Sequence, residues 1–202
     1  MQWTATERIA GLTPAPGGLA FVQDVLNSVS DGWTGPKHLY DDLLHDLPSA
    51  QAWVIAAAKA LEVPLGINVT RPSLSEEDLP ALRELRDELR QLVSGVPDDT
   101  DTGALKRLAS APVMVQTLPG PRYVSKPSGD GWHWIASAIL AECYLAQQEG
   151  TWARLKICPN PVCVATFYDR TRNNSQVWHS IRSCGNPNNL RASRARKKAS
   201  EA

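Results

Sequence analysis

The chain has 202 residues, of which 43% are hydrophobic and 21% charged, an ordinary composition for one or two globular domains. It has no N-terminal basic stretch followed by an apolar run, and nowhere does it have 18 consecutive apolar residues. We therefore predict a cytoplasmic protein that does not enter a membrane. The net charge is zero, but the two signs of charge are unevenly distributed along the chain. Residues 1–150 carry 19 acidic and 11 basic side chains, whereas residues 151–202 carry 2 acidic and 10 basic side chains. This asymmetry indicates a basic tail that meets a polyanion, unless the tail is merely solvated or folds back on the acidic part.

Apolar periodicity predicts a mainly α fold with a small β-hairpin. Helices are predicted, in chain order, at 19–28, 36–44, 49–61, 75–92, 103–109 and 132–148, with a hairpin at 112–117 and 122–125. Ser49 is the expected cap of the third helix, and Ser75 with Asp78 forms an expected capping box for the fourth. Cys143, among apolar residues, is predicted to be a core thiol. Gly150 ends the last helix, so we divide the chain into a helical N-terminal domain, residues 1–150, and a C-terminal module, residues 151–202.

The C-terminal module carries two pairs of metal-ligand residues. Cys158 and Cys163 flank a Pro-Asn-Pro turn between two β-type runs, and His179 and Cys184 repeat the gap of four residues. Four such ligands in matched pairs are typical of a closed, tetrahedral Zn²⁺ site with a structural role. The surrounding apolar residues are too few to fold alone, which also favours a small zinc-binding α+β module. The alternative is unpaired thiols and a surface histidine.

A basic segment follows Pro187. Arg191, Arg194 and Lys198 share one face of a predicted helix, which could lie along the phosphate backbone of duplex DNA. The predicted nucleic-acid-binding residues are Arg170, Arg172, Arg182, Arg191, Arg194, Arg196, Lys197 and Lys198. We expect deletion of residues 187–202 to abolish DNA binding, unless the tail only aids solubility.

Several of these segments resemble known families. Cys158–Cys163, Phe167–Asn173, Trp178 and Ser183–Asn186 resemble the CGNR zinc-finger family. Residues 19–28, with their Asp-Val-Leu-Asn-Ser run, are similar to the opening motif of the ABATE, or stress-induced transcription regulator, domain that often precedes such a finger. The resemblance implies a four-ligand zinc site and a DNA-binding role.

Two positions depart from the family pattern. The third ligand, usually Cys, is His179, which is also a competent zinc ligand. The closing Arg of the motif is replaced by Pro187, so any phosphate contact made by that Arg is missing here. Pro187 could instead be the first residue of the following helix.

Together these features favour a DNA-binding transcriptional regulator with a helical domain that senses a small-molecule effector, an arrangement compatible with a homodimer. The residues that could line the effector pocket are Asp24, Asn27, Trp33, Trp53 and Trp134. The alternative function is a biosynthetic enzyme whose active site lies in the helical domain, with the zinc module as a brace. The sequence contains no nucleophile-elbow, Walker or dinucleotide-binding motif, so no catalytic residue is predicted.

Overall fold

Helices dominate the fold, as predicted from the sequence. The computed structural model describes residues 3–29, 42–95, 105–112, 114–117 and 124–200. Their helices are α1 Thr4–Glu7, α2 Leu19–Leu26, α3 Leu47–Leu65, α4 Asp78–Ser94, α5 Lys106–Ala109, α6 Gly131–Gln148 and α7 Asn186–Ser200. Two antiparallel hairpins are formed by β1 Val115–Thr117 with β2 Val124–Lys126, and by β3 Leu155–Ile157 with β4 Thr166–Tyr168. None of the helices in these ranges combines the length and hydropathy needed to cross a membrane.

Side-chain caps decide where the helices begin. The predicted cap of α3 at Ser49 is wrong, because the Asp46 carboxylate accepts a 2.8 Å hydrogen bond from the Ser49 amide and α3 begins at Leu47. Pro48 fits in this first turn, where its missing N–H breaks no helical hydrogen bond. The Ser75 amide and hydroxyl donate to the Asp78 carboxylate, each at 2.7 Å, although the regular helix starts only at Asp78.

Three predicted segments lie partly outside the described residues. Of the helix predicted at 36–44, residues 42–44 are described and are not helical. The helix predicted at 103–109 is shorter, since α5 covers only Lys106–Ala109 of the described part. The turn between β1 and β2 falls outside the described ranges. Gly150 follows α6 with a φ of +67°, which fits its predicted role as the end of the helix.

The main hydrophobic core surrounds α2. All eight residues of α2 are buried, so this helix has no solvent face. Phe21 lies at its centre, with its ring edge-on to Trp3 at 6.4 Å and to Trp134 of α6 at 6.2 Å between ring centroids. Leu85 of α4 and Ile135 of α6 complete the packing and are fully buried.

The second hairpin is attached to this helical core. Thr166 of β4 exchanges two hydrogen bonds with the Asn27 side chain, at 2.9 and 2.8 Å, and its carbonyl also accepts a 3.1 Å bond from Gln23 Nε2. Arg90 of α4 donates to the carbonyls of Leu26 and Val164, at 2.7 and 2.9 Å. The strands that lead into the Cys-rich segment therefore rest on α2 and α4.

Candidate metal centre

Four side chains converge beside the β3–β4 hairpin. Cys158, Cys163, His179 and Cys184 are all buried, and their ligand atoms lie within 4.8 Å of one another. His179 Nδ1 is 3.3 Å from Cys163 Sγ and 3.7 Å from Cys184 Sγ. In a tetrahedral zinc site with ordinary bond lengths, nitrogen and sulfur ligands are about 3.5 Å apart. The donor set and its spacing fit a structural Zn²⁺, and the predicted cofactor is confirmed.

The Pro-Asn-Pro turn positions the first ligand pair. The Cys158 amide donates to the Ala165 carbonyl at 2.9 Å and so extends the β3–β4 ladder, while the Cys163 amide donates to the Asn160 carbonyl at 2.8 Å and closes the turn. Asn160 Nδ2 also donates to Cys184 Sγ at 3.2 Å. A donor to a ligand sulfur orients that sulfur and stabilises its thiolate. The sequence identified Asn160 only as part of a turn.

A π-helical turn, Ile181–Gly185, carries the fourth ligand. The amides of Cys184 and Gly185 both donate to the Ser180 carbonyl, at 3.0 and 3.1 Å, and the Ser180 hydroxyl accepts a 3.2 Å bond from the Ser183 amide. A Cβ at Gly185 would lie 2.9 Å from Trp178 Cδ1, closer than carbon atoms pack. The glycine after the last cysteine is therefore required by the close approach of Trp178.

Asp169 organises the loop that leads to the third ligand. Its fully buried carboxylate accepts hydrogen bonds from Lys156 Nζ at 2.7 Å, from the Thr171 amide and hydroxyl at 2.8 and 2.6 Å, and from the Gln176 amide at 2.7 Å. Burial opposes ionisation, but these hydrogen bonds outweigh it and hold the pKa of Asp169 below its usual range. Lys156 Nζ also donates to the Asn174 and Gln176 carbonyls, at 2.8 and 3.1 Å. The carboxylate and the ammonium group thus fix the loop from both sides.

Three neighbouring thiols cannot all ionise without a cation. A hydrogen bond from Cys163 lowers the pKa of Cys158 and raises the pKa of Cys163, and burial raises the pKa of Cys184. Because Zn²⁺ binds thiolates, its binding must displace protons from this cluster. Cys143 lies apart in α6, where burial raises the pKa of its thiol to about 12, as expected for a core cysteine.

The eight predicted DNA-contacting residues lie on the loop after β4, on the π-helical turn and on α7, and all of them are exposed. Every residue of α7 is at least partly exposed. The exposed cations of this helix are Arg191, Arg194, Arg196, Lys197 and Lys198. Asn188 Nδ2 donates to the Cys184 carbonyl at 2.8 Å, which joins the start of α7 to the metal centre. Pro187 is the second residue of α7, within the first turn where proline is tolerated.

The three remaining predicted arginines differ in their surroundings. Arg172 is exposed on the loop before His179, and Arg182 is exposed on the π-helical turn after it. Arg170 instead donates to the Pro14 carbonyl at 2.6 Å and to Thr13 Oγ1 at 3.3 Å, and its guanidinium lies 5.7 Å from the centre of the Tyr168 ring. In this arrangement Arg170 joins the Cys-rich segment to the loop before α2.

Four of the five residues proposed for an effector pocket are described by the structure, and all four are buried. Asp24 accepts hydrogen bonds from the Thr6 amide at 2.8 Å and from Trp53 Nε1 at 2.9 Å, and burial raises its pKa. Asn27 bonds to Thr166, and Trp134 packs against Phe21. Trp33 lies outside the described residues. The structure therefore brings Asp24 and Trp53 together, and the pocket itself stays a prediction.

Comparison with known proteins divides the chain into two matched segments. A family model described as "CGNR zinc finger" matches residues 154–197, which contain all four converging ligands. A second, described as "ABATE: Putative stress-induced transcription regulator", matches residues 19–148. No curated protein matches the chain.

Proposed function

The chain belongs to the ABATE family and carries a CGNR zinc finger, and from this premise we propose that it is a transcription regulator that binds duplex DNA through α7 and the zinc-bound turn. The observation that carries the proposal is the position of α7. This basic helix begins two residues after the ligand Cys184 and projects from the metal centre with no buried residue.

The metal centre supports a bracing role. With four protein ligands the zinc has no open coordination position, which metal-ion catalysis needs. The zinc instead joins the β3–β4 hairpin to the turn that precedes α7. The finger is in turn held on the helical core by Asn27 and Arg90. A rigid base of this kind fixes the direction in which α7 leaves the protein.

The positive charge of residues 151–202 supports the proposal of a polyanionic partner. Residues 151–202 hold ten basic side chains against Asp169 and Glu201, and Asp169 is neutralised internally by Lys156. Each cation that contacts a phosphate releases a counterion, so binding would weaken steeply as salt is added. The acidic part of the chain would be repelled by the same phosphates, which favours an approach through α7.

A groove at the base of α7 adds a second contact surface. It has a volume of about 770 Å³ and lies between the loop around Trp178 and Asn189 of α7. Val177 and Ile181 line it with 57% and 68% of their surfaces exposed, next to the exposed Arg182. Exposed apolar side chains beside a cation are common where proteins contact a nucleic-acid groove.

Neutralising part of α7 tests the proposal. We expect the triple substitution Arg194→Ala, Arg196→Ala and Lys198→Ala to weaken binding to a labelled random-sequence duplex. The slope of log affinity against log salt should become shallower by about 2 to 3, since each lost phosphate contact contributes about 0.9. Alanine preserves helix propensity, so α7 should still form. Fluorescence polarisation over a series of KCl concentrations measures both quantities.

A matched control removes the same charge elsewhere. Lys59, Arg71 and Lys106 are exposed on the helical part, and their triple alanine variant changes the net charge equally. The proposal expects this control to bind DNA with wild-type salt dependence. Equal slopes for the two variants, or no binding by the wild-type protein, would overturn it.

A further inference from the structure

A small cavity lies at the start of α2, where Leu19 and the three residues before it line it. It has a volume of about 180 Å³, is partly open to solvent and lies between the loop before α2, the end of α3 and the last turns of α6. Its apolar walls include Pro16, Leu65 and Leu145. Because a water molecule occupies about 30 Å³ of liquid, the cavity has room for about six waters or an organic molecule of similar size.

Glu142 of α6 is the buried polar side chain that lines this cavity. Only 4% of its surface is exposed, and among the described residues no group donates a hydrogen bond to its carboxylate, the amides in the first turn of α2 included. A side chain at Gly18 would overlap the carboxylate, so the glycine leaves the space into which Glu142 points. Buried carboxylates normally have partners, and this carboxylate has none in the part of the chain that the structure describes.

The acidic lining of the cavity favours a positively charged ligand. Glu142 and Glu149 both line it, and none of the described residues in its walls is a Lys, Arg or His. Burial, together with the negative charge of Glu149, raises the pKa of Glu142 to about 7. A cation would favour the ionised carboxylate and supply the hydrogen bonds that it lacks, whereas an anion would be repelled.

An organic cation suits the walls better than a metal ion. Metal sites for hard cations use several oxygen ligands, and only two carboxylates are available here. The leucine and proline walls would instead contact a short hydrocarbon chain. We propose that this cavity binds a small primary amine, with the ammonium group on the Glu142 carboxylate and an alkyl part of about three to five carbons against Leu65 and Leu145.

If the protein is the proposed transcription regulator, an amine bound in this cavity would be its effector. Only this effector role rests on the proposed function. The loop that closes the cavity leads directly into α2, whose Gln23 and Asn27 hold Thr166 of the zinc finger. A ligand that orders the start of α2 would thus act on the helix that supports the finger. Binding of the amine itself can be measured without DNA, so the two proposals can fail separately.

Calorimetric titration of the full-length, zinc-loaded protein tests the site. The probes are ethyl-, butyl- and hexylammonium chloride, with butanol as the neutral analogue of butylammonium. We expect saturable binding that is tightest for butylammonium, and weaker binding of butanol. Glu142→Gln should lower the butylammonium affinity by about tenfold to a hundredfold, since a charge-assisted hydrogen bond is lost.

Two controls separate loss of the Glu142 contact from a nonspecific effect of the substitution. Glu76→Gln alters an exposed carboxylate away from the cavity and should leave butylammonium affinity unchanged. Glu142→Gln removes a buried charge and should remain folded, and its butanol affinity should equal that of the wild-type protein. The inference is overturned if none of the ammonium probes binds saturably, if butanol binds wild-type protein as tightly as butylammonium does, or if Glu142→Gln binds butylammonium with wild-type affinity.

Discussion

Glu142 is a carboxylic acid that the fold buries beside a small cavity without giving it a partner among the described residues. Transfer of a carboxylate from water into such a place penalises the ionised form, which is why its pKa lies near 7 rather than near 4.5. The folded protein therefore binds this proton more tightly than the unfolded chain does. The contribution of Glu142 to the free energy of unfolding therefore falls as pH rises from about 4.5 to about 7. Above about pH 7 this contribution is lost.

The pH dependence of unfolding checks this assignment. We expect Glu142→Gln to gain stability relative to wild type between about pH 5 and about pH 8, by about 2.5 kcal/mol, because the amide cannot ionise. Urea denaturation of both proteins at the two pH values gives this difference, and the titration of the zinc ligands cancels in the comparison. A difference in unfolding free energy that does not change with pH would show that Glu142 is solvated.

Residue by residue, the metal ligands were predictable and their supporting side chains were not. Two Cys around a tight turn and a second pair with the same gap indicate zinc from spacing alone. Asn160 and Asp169 have no such pattern, since each works through a partner brought close by folding. Asn160 donates to a sulfur 24 positions away, and Asp169 pairs with Lys156 across the β3–β4 hairpin. In the sequence, the available signal for Asp169 was that it is an isolated acidic residue within a basic segment.

Among the elements, α2 has the central role because it belongs to both parts of the protein. Its apolar residues fill the main core, while Gln23 and the C-cap residue Asn27 hold the backbone of Thr166. Asn27 satisfies both the amide and the carbonyl of that residue, as a neighbouring strand would. Without it, two buried backbone groups would lose a partner.

Asn27→Ala should loosen the finger from the helical core. We expect a loss of about 2 kcal/mol in stability, because the Thr166 amide is left buried without an acceptor. Hydrogen exchange of the Thr166 amide should accelerate by about tenfold or more, as the β3–β4 hairpin opens locally. Asn68→Ala, which removes an exposed amide, is the control and should change neither quantity. Unchanged exchange at Thr166 in the Asn27 variant would contradict this role for α2.

The order of elements was largely predictable, whereas their tertiary partners were not. Apolar periodicity and caps identified α2, α4 and α6, and β-type residues around turns identified both hairpins. Asp46 was missed as the cap of α3 because Ser49 is equally suited to that role by residue type. The apolar periodicity of a helix does not identify the segment against which its buried face packs. The hydrogen bond between Asn27 and Thr166, which lie 139 positions apart, was therefore not predictable from the sequence.

At the scale of the whole molecule, two hydrophobic clusters of unequal size meet. The larger spans α2, α3, α4 and α6 and includes Leu155 of β3. The smaller consists of Ile9, Ala165, Phe167 and the three ligand cysteines, with Leu12 and Trp178 packed against it. A cluster with so few apolar side chains depends on its metal, and the larger one does not.

Removal of zinc should therefore unfold only the zinc finger and leave the helical core folded. We expect the chelator-treated protein to lose amide protection over residues 158–185 and to keep protection in α2, α4 and α6, because the helical core forms without the metal. Hydrogen exchange monitored by mass spectrometry resolves these segments. Loss of protection throughout the chain would contradict the proposed division at residue 150 and show that the zinc finger and helices fold as one cooperative unit.

The central claim is that Cys158, Cys163, His179 and Cys184 form a closed zinc site that braces α7 rather than catalysing a reaction. X-ray absorption spectroscopy at the zinc edge tests it most directly. The account predicts one zinc per chain with three sulfur ligands at about 2.3 Å and one nitrogen ligand at about 2.0 Å. Cys143→Ser should leave the spectrum unchanged, since that thiol lies apart in α6. An oxygen ligand from water, or fewer than three sulfurs, would reveal an open coordination position and contradict the account.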